Sequence, residues 1–267
     1  SSPIESVRRS RDWREHRVEM EKVLVSGRPR LWADLPGRWL YCPGCQHPLV
    51  ERLLAEVIDE LGIEGEVIGV AGVGCHARLL VPIDIDGVQA LHGRAIDVAT
   101  GIKRALRKRP IVFTVQGDGD CGSIGAGALM AAVTRAEGIT VIMLNNTNYG
   151  TTGGQMGPTT LLGQVTTTTP EGREPAAHGY PIHLPELLAT VRGAAYAARG
   201  ALTSPGNYQR TKRYLKTAFQ KQRDGAGLSF VEIIVACPVN WRLTPVEAIK
   251  RIEEQVIPEF PLGEFKR

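Results

Sequence analysis

Four short apolar runs, each breaking off at small or polar residues, alternate with helical patterns along this chain, and no other feature limits its fold as much. EVIGVAG (66–72) stops at Gly72-Val73-Gly74-Cys75, and IVFTVQ (111–116) runs into GDGDCGSIGAG. ITVIML (139–144) ends at Asn145-Asn146, and LSFVEIIVAC (228–237) ends at Cys237-Pro238. Continuous apolar strands separated by helices build parallel βαβ units with both faces covered, so the expected class is α/β with ligands at the carboxyl ends of the strands.

The expected helices follow from period and caps. PLVERLLAEVIDELG carries apolar residues at helical spacing and ends at Gly62, and AIDVATGIKRALRKR (95–109) precedes Pro110. A small-residue helix runs through Glu137, another covers about Leu184 to Arg199, and a basic one spans Pro205 to Arg223 and reads as a solvated face. Thr244-Pro245-Val246-Glu247 is a capping box with proline at the first helical position. Between them, residues 147–181 form a long threonine- and glycine-rich loop without periodicity, the kind that is usually functional. Residues 1–40 read as a charged N-terminal extension with Trp13 and Trp32 as anchors, wrapping a neighbour or the domain itself, or else as a partly disordered tail. Residues 41–267 form the domain.

Charge and cysteine content exclude some functions. A net charge of +4 over 267 residues, with both signs interspersed, does not indicate nucleic-acid binding. No apolar run approaches the ~18 residues of a membrane span and no signal-peptide core precedes the charges, so a cytoplasmic chain is expected. Five cysteines, two of them in Cys42-Pro-Gly-Cys45, suit metal or redox chemistry better than disulfides.

GDGDCG matches the glycine spacing of a dinucleotide loop, yet Asp118 and Asp120 would repel a bare pyrophosphate there. A divalent cation reverses that sign: Asp118 can hold Mg²⁺, a hard ion that bridges to diphosphate oxygens. Asn146 lies 28 residues further on, at the end of the next parallel strand, where its amide oxygen could be a second ligand and the carbonyl of Asn148 a third. GDG followed at this interval by NN resembles the diphosphate-binding motif of thiamin diphosphate enzymes. Cys42 and Cys45 can reach one metal centre, and Cys75 and Cys237 end strands, so four thiols could converge at one rim of the sheet on either a 4Fe-4S cluster or zinc. A redox cluster beside the cofactor is the more economical choice, and Cys121 reads as a small buried residue.

Six motifs in order, CPGC, GVGC, LHGR, GDGDCGSIG, LNNTNYGTTGGQMGPTT and ACPVNW, resemble the thiamin diphosphate-binding β subunit of 2-oxoacid:ferredoxin oxidoreductases across residues 40–260. The resemblance implies a parallel-sheet thiamin diphosphate-binding fold with helices on both faces. It implies Cys42, Cys45, Cys75 and Cys237 as ligands of one 4Fe-4S cluster, and Mg²⁺ on Asp118, Asn146 and Asn148. Thiamin diphosphate would be surrounded by Val73, Gly74, His76, His92, Gly119, Asp120, Gly150 and Thr151, with Cys75, Gly117, Cys121 and Asn148 at the same site. His76 and Cys121 depart from the family, which commonly has a small hydroxyl residue and a glycine or alanine there.

The implied activity is coenzyme A-dependent oxidative decarboxylation of a 2-oxoacid to an acyl-CoA and CO₂, with electrons leaving through the cluster to ferredoxin. The glutamate that activates thiamin is not evident, which implies an α subunit carrying the pyrimidine domain, with γ and ferredoxin-like δ subunits in a four-subunit enzyme. TGGQMGPTTLLGQVTTTTP and the closing FPLGEFK favour a branched-chain 2-oxoacid, with 2-oxoglutarate and pyruvate as alternatives. Arg78 is either a substrate-carboxylate contact or a surface arginine. Two rivals stand beside this: a non-redox thiamin decarboxylase or synthase subunit, which has no use for four metal-binding cysteines, and a zinc-stabilised module holding NAD at GDGDCG.

Overall fold

The computed structural model describes residues 27, 29–32, 41–106 and 110–267, so most of the charged extension, Trp13 included, lies outside the described residues. The described piece of it lays Leu31 into the core, where its carbonyl accepts the Asp84 N–H at 2.8 Å, and bridges Trp32 to Ile83.

In chain order the elements begin with α1 (His47–Leu61), β1 (Val67–Ala71), a 3₁₀ turn (Cys75–Arg78), β2 (Asp86–Gln89), α2 (Ala95–Ala105) and β3 (Ile111–Gly117). A π turn (Asp120–Ile124) leads into α3 (Ala126–Thr134), then β4 (Thr140–Asn145), α4 (Pro175–His178), α5 (Leu184–Ala189) and β5 (Ala194–Ala201). The chain finishes with α6 (Pro205–Arg223), β6 (Leu228–Ile234), α7 (Pro238–Trp241), α8 (Pro245–Arg251), a second π turn (Ile252–Val256), α9 (Ile257–Glu259) and β7 (Gly263–Lys266). The strands form one seven-stranded sheet ordered β2-β1-β3-β4-β6-β5-β7, parallel throughout except that β7 runs antiparallel to β5.

Burial on both faces explains the unbroken apolar runs. Successive side chains of a strand point to opposite faces. Val112, Val141 and Met143 therefore join the core under α2, α3 and α5, while Phe113, Val115, Ile142 and Leu144 join the one under α1 and α6. A third apolar cluster, including Trp241, Ile252 and Phe260, closes the carboxyl end of β5 and β6. The caps fall where the sequence put them. Gly62 ends α1 at φ +60°, and Thr244 and Glu247 form both halves of the capping box on α8. The basic face of α6 is only partly a solvated one, because Lys212 and Lys216 pair with Glu56 and Glu60 of α1.

One helix is overturned. The pattern from Leu184 to Arg199 predicts continuous helix, but helix stops at Ala189 and residues 194–201 are a strand buried between β6 and β7. Alanine favours helix when nothing else decides. Here close approach decides: a Cβ on Gly193 would sit 1.8 Å from the Val133 carbonyl, and one on Gly200 2.2 Å from the Thr211 hydroxyl. Small residues let α3 and α6 press against this segment only when it is extended. The edge strands β2 and β7 carry no periodic signal, and FPLGEFK supplies β7 itself.

The topology reverses between β1 and β3. The chain leaves β1 for β2 on one side, and leaves β3 for β4 on the other, which opens a crevice at their carboxyl ends.

Candidate functional site

That crevice, about 90 Å³, collects residues from four strand-end and loop segments and His47 from the start of α1. The end of β1 supplies Val73, Gly74, Cys75 and His76, and the loop before α2 supplies His92. The end of β3 supplies Gly117, Asp118, Gly119 and Asp120. After β4 come Asn146, Asn148, Tyr149, Gly150 and Thr151. Two glycines are required by the geometry. Gly74 has φ +149° with the His76 ring 2.7 Å from where a Cβ would stand, and a Cβ on Gly119 would lie 2.2 Å from the Tyr149 ring. GDGDCG is not a loop, because the chain turns straight from β3 into helix. Its widened turn is closed by a Gly125 N–H bond to the Asp120 carbonyl at 2.9 Å, a π-bulge of the type found at functional sites.

The two aspartates of this turn have opposite environments. Asp120 accepts from the Gly93 N–H at 2.7 Å, from Gln116 Nε2 at 2.9 Å and from His92 Nδ1, with His76 Nε2 standing 3.6 Å away. Burial raises its pKa, but the facing His76 ring, the Gly93 N–H and His92 outweigh it and hold the carboxyl down at about 2. Asp120 is therefore a charged anchor tying the β1, β3 and α2 segments together. Asp118 is equally buried, yet its side-chain partner is only the Thr159 hydroxyl, and burial drives its pKa up to about 7. Its Oδ2 lies 3.0 Å from where a Cβ on Gly157 would be, close to the Asn148 backbone.

The asparagine pair divides its labour. Asn145 is structural, donating to Glu232 at 2.6 Å and accepting from the Thr147 N–H at 3.0 Å. Asn146 lines the crevice, its Oδ1 accepting the Asn148 N–H at 3.3 Å while Asn148 Nδ2 returns a 2.8 Å bond to the Asn146 carbonyl. Behind them a buried polar chain leads from Asp118 through Thr159 and Asn145 to Glu232, then to Arg199, which Glu232 and Glu186 neutralise at 2.8 and 2.7 Å.

All five cysteines are free thiols. Cys75 is half-buried at the crevice rim, with Sγ 3.0 Å from the Thr151 hydroxyl. Burial pushes the Cys45 thiol up to about 12; a bond at His47 opposes this, and the nearby Cys237, Cys75 and Cys42 reinforce it. Cys237 is pushed up to about 11 by burial and by Cys75. The four thiols thus share a neighbourhood, though among the described residues no three His, Cys, Asp or Glu side chains converge on a single-ion site. Two expected contacts fall elsewhere. Cys121 is buried in the core under α2 and α3, its thiol pushed far up by burial, because the π turn directs it away from the crevice. Arg78, the exposed last residue of the 3₁₀ turn, is outside the crevice lining.

Several residues escape a sequence reading. Tyr149 stands edge-on to His92 with centroids 6.2 Å apart, and His47 lies at the crevice with its pKa lowered by burial to about 3. Asn240 donates to the Gly150 carbonyl at 2.8 Å and to Asn148 Oδ1 at 3.3 Å. Arg173, 5 % exposed, organises the 147–181 loop through carbonyls of Pro158, Thr160, His178, Gly179 and Tyr180. The richness of that loop in threonine was the only available signal.

Comparison with known proteins agrees with this geometry. Residues 72–233 match the family of the thiamine pyrophosphate enzyme C-terminal TPP binding domain. The chain is 43 % identical over 226 residues to the ketoisovalerate oxidoreductase subunit VorA of Methanothermobacter marburgensis, covering 85 % of this chain and 47 % of that one. It is 35 % identical over 227 residues to the 2-oxoglutarate synthase subunit KorB of Methanocaldococcus jannaschii, covering 82 % and 78 %. It thus spans about half the length of its ketoisovalerate relatives. A solved 2-oxoglutarate:ferredoxin oxidoreductase from Magnetococcus marinus, with 2-oxoglutarate, coenzyme A and succinyl-CoA bound, superposes with TM-score 0.72 at 26 % identity over 91 % of this chain and 86 % of that one.

Proposed function

We propose, since this chain belongs to the thiamine pyrophosphate enzymes and within them to the 2-oxoacid oxidoreductase subunits, that it is the β subunit of a 2-oxoacid:ferredoxin oxidoreductase acting on a branched-chain 2-oxoacid. The observation that carries this reading is Asp118. A carboxylate 2 % exposed, with no Lys or Arg beside it among the described residues and its pKa raised by burial, fits a site that a divalent ion completes. Asp118, Asn146 and the Asn148 carbonyl would hold Mg²⁺, and the glycine-lined crevice beside them would take the diphosphate. When bound, thiamin diphosphate supplies the electron sink for decarboxylation.

The chain's own residues then orient and relay. Asp120 fixes the His92 ring through Nδ1, leaving Nε2 as the nitrogen that can meet a ligand. Tyr149 braces that ring, and Thr159 holds the carboxylate of Asp118 in place. Cys42, Cys45, Cys75 and Cys237 would ligate a 4Fe-4S cluster, which takes one thiolate per iron and so needs more widely spaced thiols than a single zinc. Cys75 at the rim would put that cluster beside the crevice, a short path for electrons on their way to ferredoxin.

Two features of the lining support the rest. It contains no glutamate among the described residues, consistent with an activating glutamate on an α subunit; coenzyme A, and γ and ferredoxin-like δ chains in a four-subunit enzyme, complete the proposal. It contains no arginine or lysine among the described residues either, which is in keeping with a substrate whose side chain is apolar. No described helix is long and apolar enough to cross a membrane, and the proposed location is the cytoplasm.

The test is an anaerobic visible and EPR spectrum of the purified complex, with metal analysis and competition between 2-oxoisovalerate and 2-oxoglutarate. About four irons per chain, with 2-oxoisovalerate preferred, is the expected result. A colourless zinc protein would overturn the redox reading, and turnover by this chain without partners would overturn the hetero-oligomer.

A further inference from the structure

A roomier cavity, about 530 Å³, lies on the far side of the 147–181 loop, between that loop and α7 and α8. Two arginines and no acidic residue line it. Arg251 stacks on the Trp241 ring, 5.0 Å from its centroid, and its buried Nε has no hydrogen-bond partner among the described residues. The two fully buried arginines among the described residues are satisfied: Arg199 by two glutamates and Arg173 by five carbonyls. Leaving that one buried N–H without an acceptor is costly, and burial lowers the pKa of Arg251, whose side chain is otherwise half-buried at the cavity. Arg242 stands at the same cavity as the left-handed cap that ends α7, φ +55°, its N–H bonding the Val239 carbonyl at 3.2 Å. The remaining wall is mixed. Thr167 and Gln255 offer polar groups, while Leu162, Val165 and Val239 are apolar and solvent-exposed.

We propose that this cavity binds a small organic anion, an oxyanion group seated on the edge of the Arg251 guanidinium and an apolar body lying against Val165 and Val239. Trp241 covers one face of the guanidinium, so the N–H edge is what remains for a bidentate contact, the arrangement in which arginine recognises phosphate and carboxylate. The ligand would be felt at the crevice. Asn240 lines the cavity and reaches through to the Gly150 carbonyl and Asn148 Oδ1. The inference stands on the cavity and its arginines, and does not depend on the identity of the cofactor next door.

Calorimetric titration of the cofactor-saturated complex with phenyl phosphate and with benzoate tests it, since the two probes share a body and differ in the anionic head. At least one should saturate at one site per chain, and the tighter of the two identifies a phosphorylated or a carboxylated natural ligand. Arg251→Gln should weaken it at least about tenfold, the loss of one charged hydrogen bond, and Arg251→Lys should recover part. Gln255→Glu, at an exposed position that leaves the packing of Trp241 intact, places a competing carboxylate in the cavity and should weaken binding as much. Failure of both probes to saturate, affinity unchanged in Gln255→Glu, or saturation only after the partner chains are removed would each overturn the proposal.

Discussion

Replacing Asp118 by asparagine should make the metal-free protein more stable, by an amount that grows with pH. Burial places the folded-state pKa near 7 against an ordinary 3.8, so between these values the folded chain keeps a proton that the unfolded chain has released. Each upward pH step in that window therefore costs folding free energy. At about 1.36 kcal/mol per pH unit over a span of about 3 units, the cost reaches about 4 kcal/mol by pH 8 and vanishes below pH 4. Asparagine keeps the shape and a hydrogen-bonding oxygen for Thr159 but never acquires the charge. The stability difference between Asp118→Asn and the parent should thus open from near zero at pH 4 to several kcal/mol at pH 8, a midpoint shift on the order of 10 °C. Mg²⁺ with thiamin diphosphate should close the gap by stabilising only the parent, because only the parent presents a carboxylate to the ion. Thermal unfolding in a chelating buffer across pH 4–8, repeated with cofactor and metal, measures both halves. A variant that is less stable than the parent at pH 8, or whose offset does not change with pH, would refute the assignment of Asp118 as an unneutralised ligand. Such a result would make the carboxylate structural, as Asp120 is.

Three further outcomes are expected. Arg199→Met leaves Glu232, 1 % exposed, without its cation and should cost about 3–5 kcal/mol in urea unfolding; adding Glu232→Gln should recover much of that loss, and additivity of the two would contradict the pairing. Gly119→Ala drives a methyl into the Tyr149 ring and should cost about 1–3 kcal/mol of stability while weakening thiamin diphosphate binding at least about tenfold, read by equilibrium dialysis; unchanged binding would remove Tyr149 from the crevice wall. Arg173→Ala withdraws the donors of five carbonyls and should expose residues 147–181 to limited proteolysis with the sheet intact; a cleavage pattern like the parent's would show that the loop holds itself.

Much of the architecture was legible in the sequence, because a strand buried on both faces must be apolar at every position and a helix cap is a local event. The runs that became β1, β3, β4 and β6 required no partner to be recognised, nor did Gly62 or the Thr244–Glu247 box. That Asp118 and Asn146 line one crevice was legible too, since strand ends of neighbouring parallel strands fall together. What remained hidden depends on residues far apart in the chain. Ala194–Ala201 is a strand because the neighbouring helices leave room only for an extended segment of small residues, a fact about α3 and α6 rather than about alanine. The different fates of Asp118 and Asp120 arise from which distant donors reach their side chains among the described residues: Thr159 for one, and Gly93 and His92 for the other. Local period and capping are dictated by covalent neighbours, so sequence determined the central strands, the caps and the class of fold. Burial and electrostatic partnership are set by packing across long separations, so only the tertiary structure decided that Asp118 is buried against a hydroxyl while Asp120 is buried among ring and backbone N–H groups.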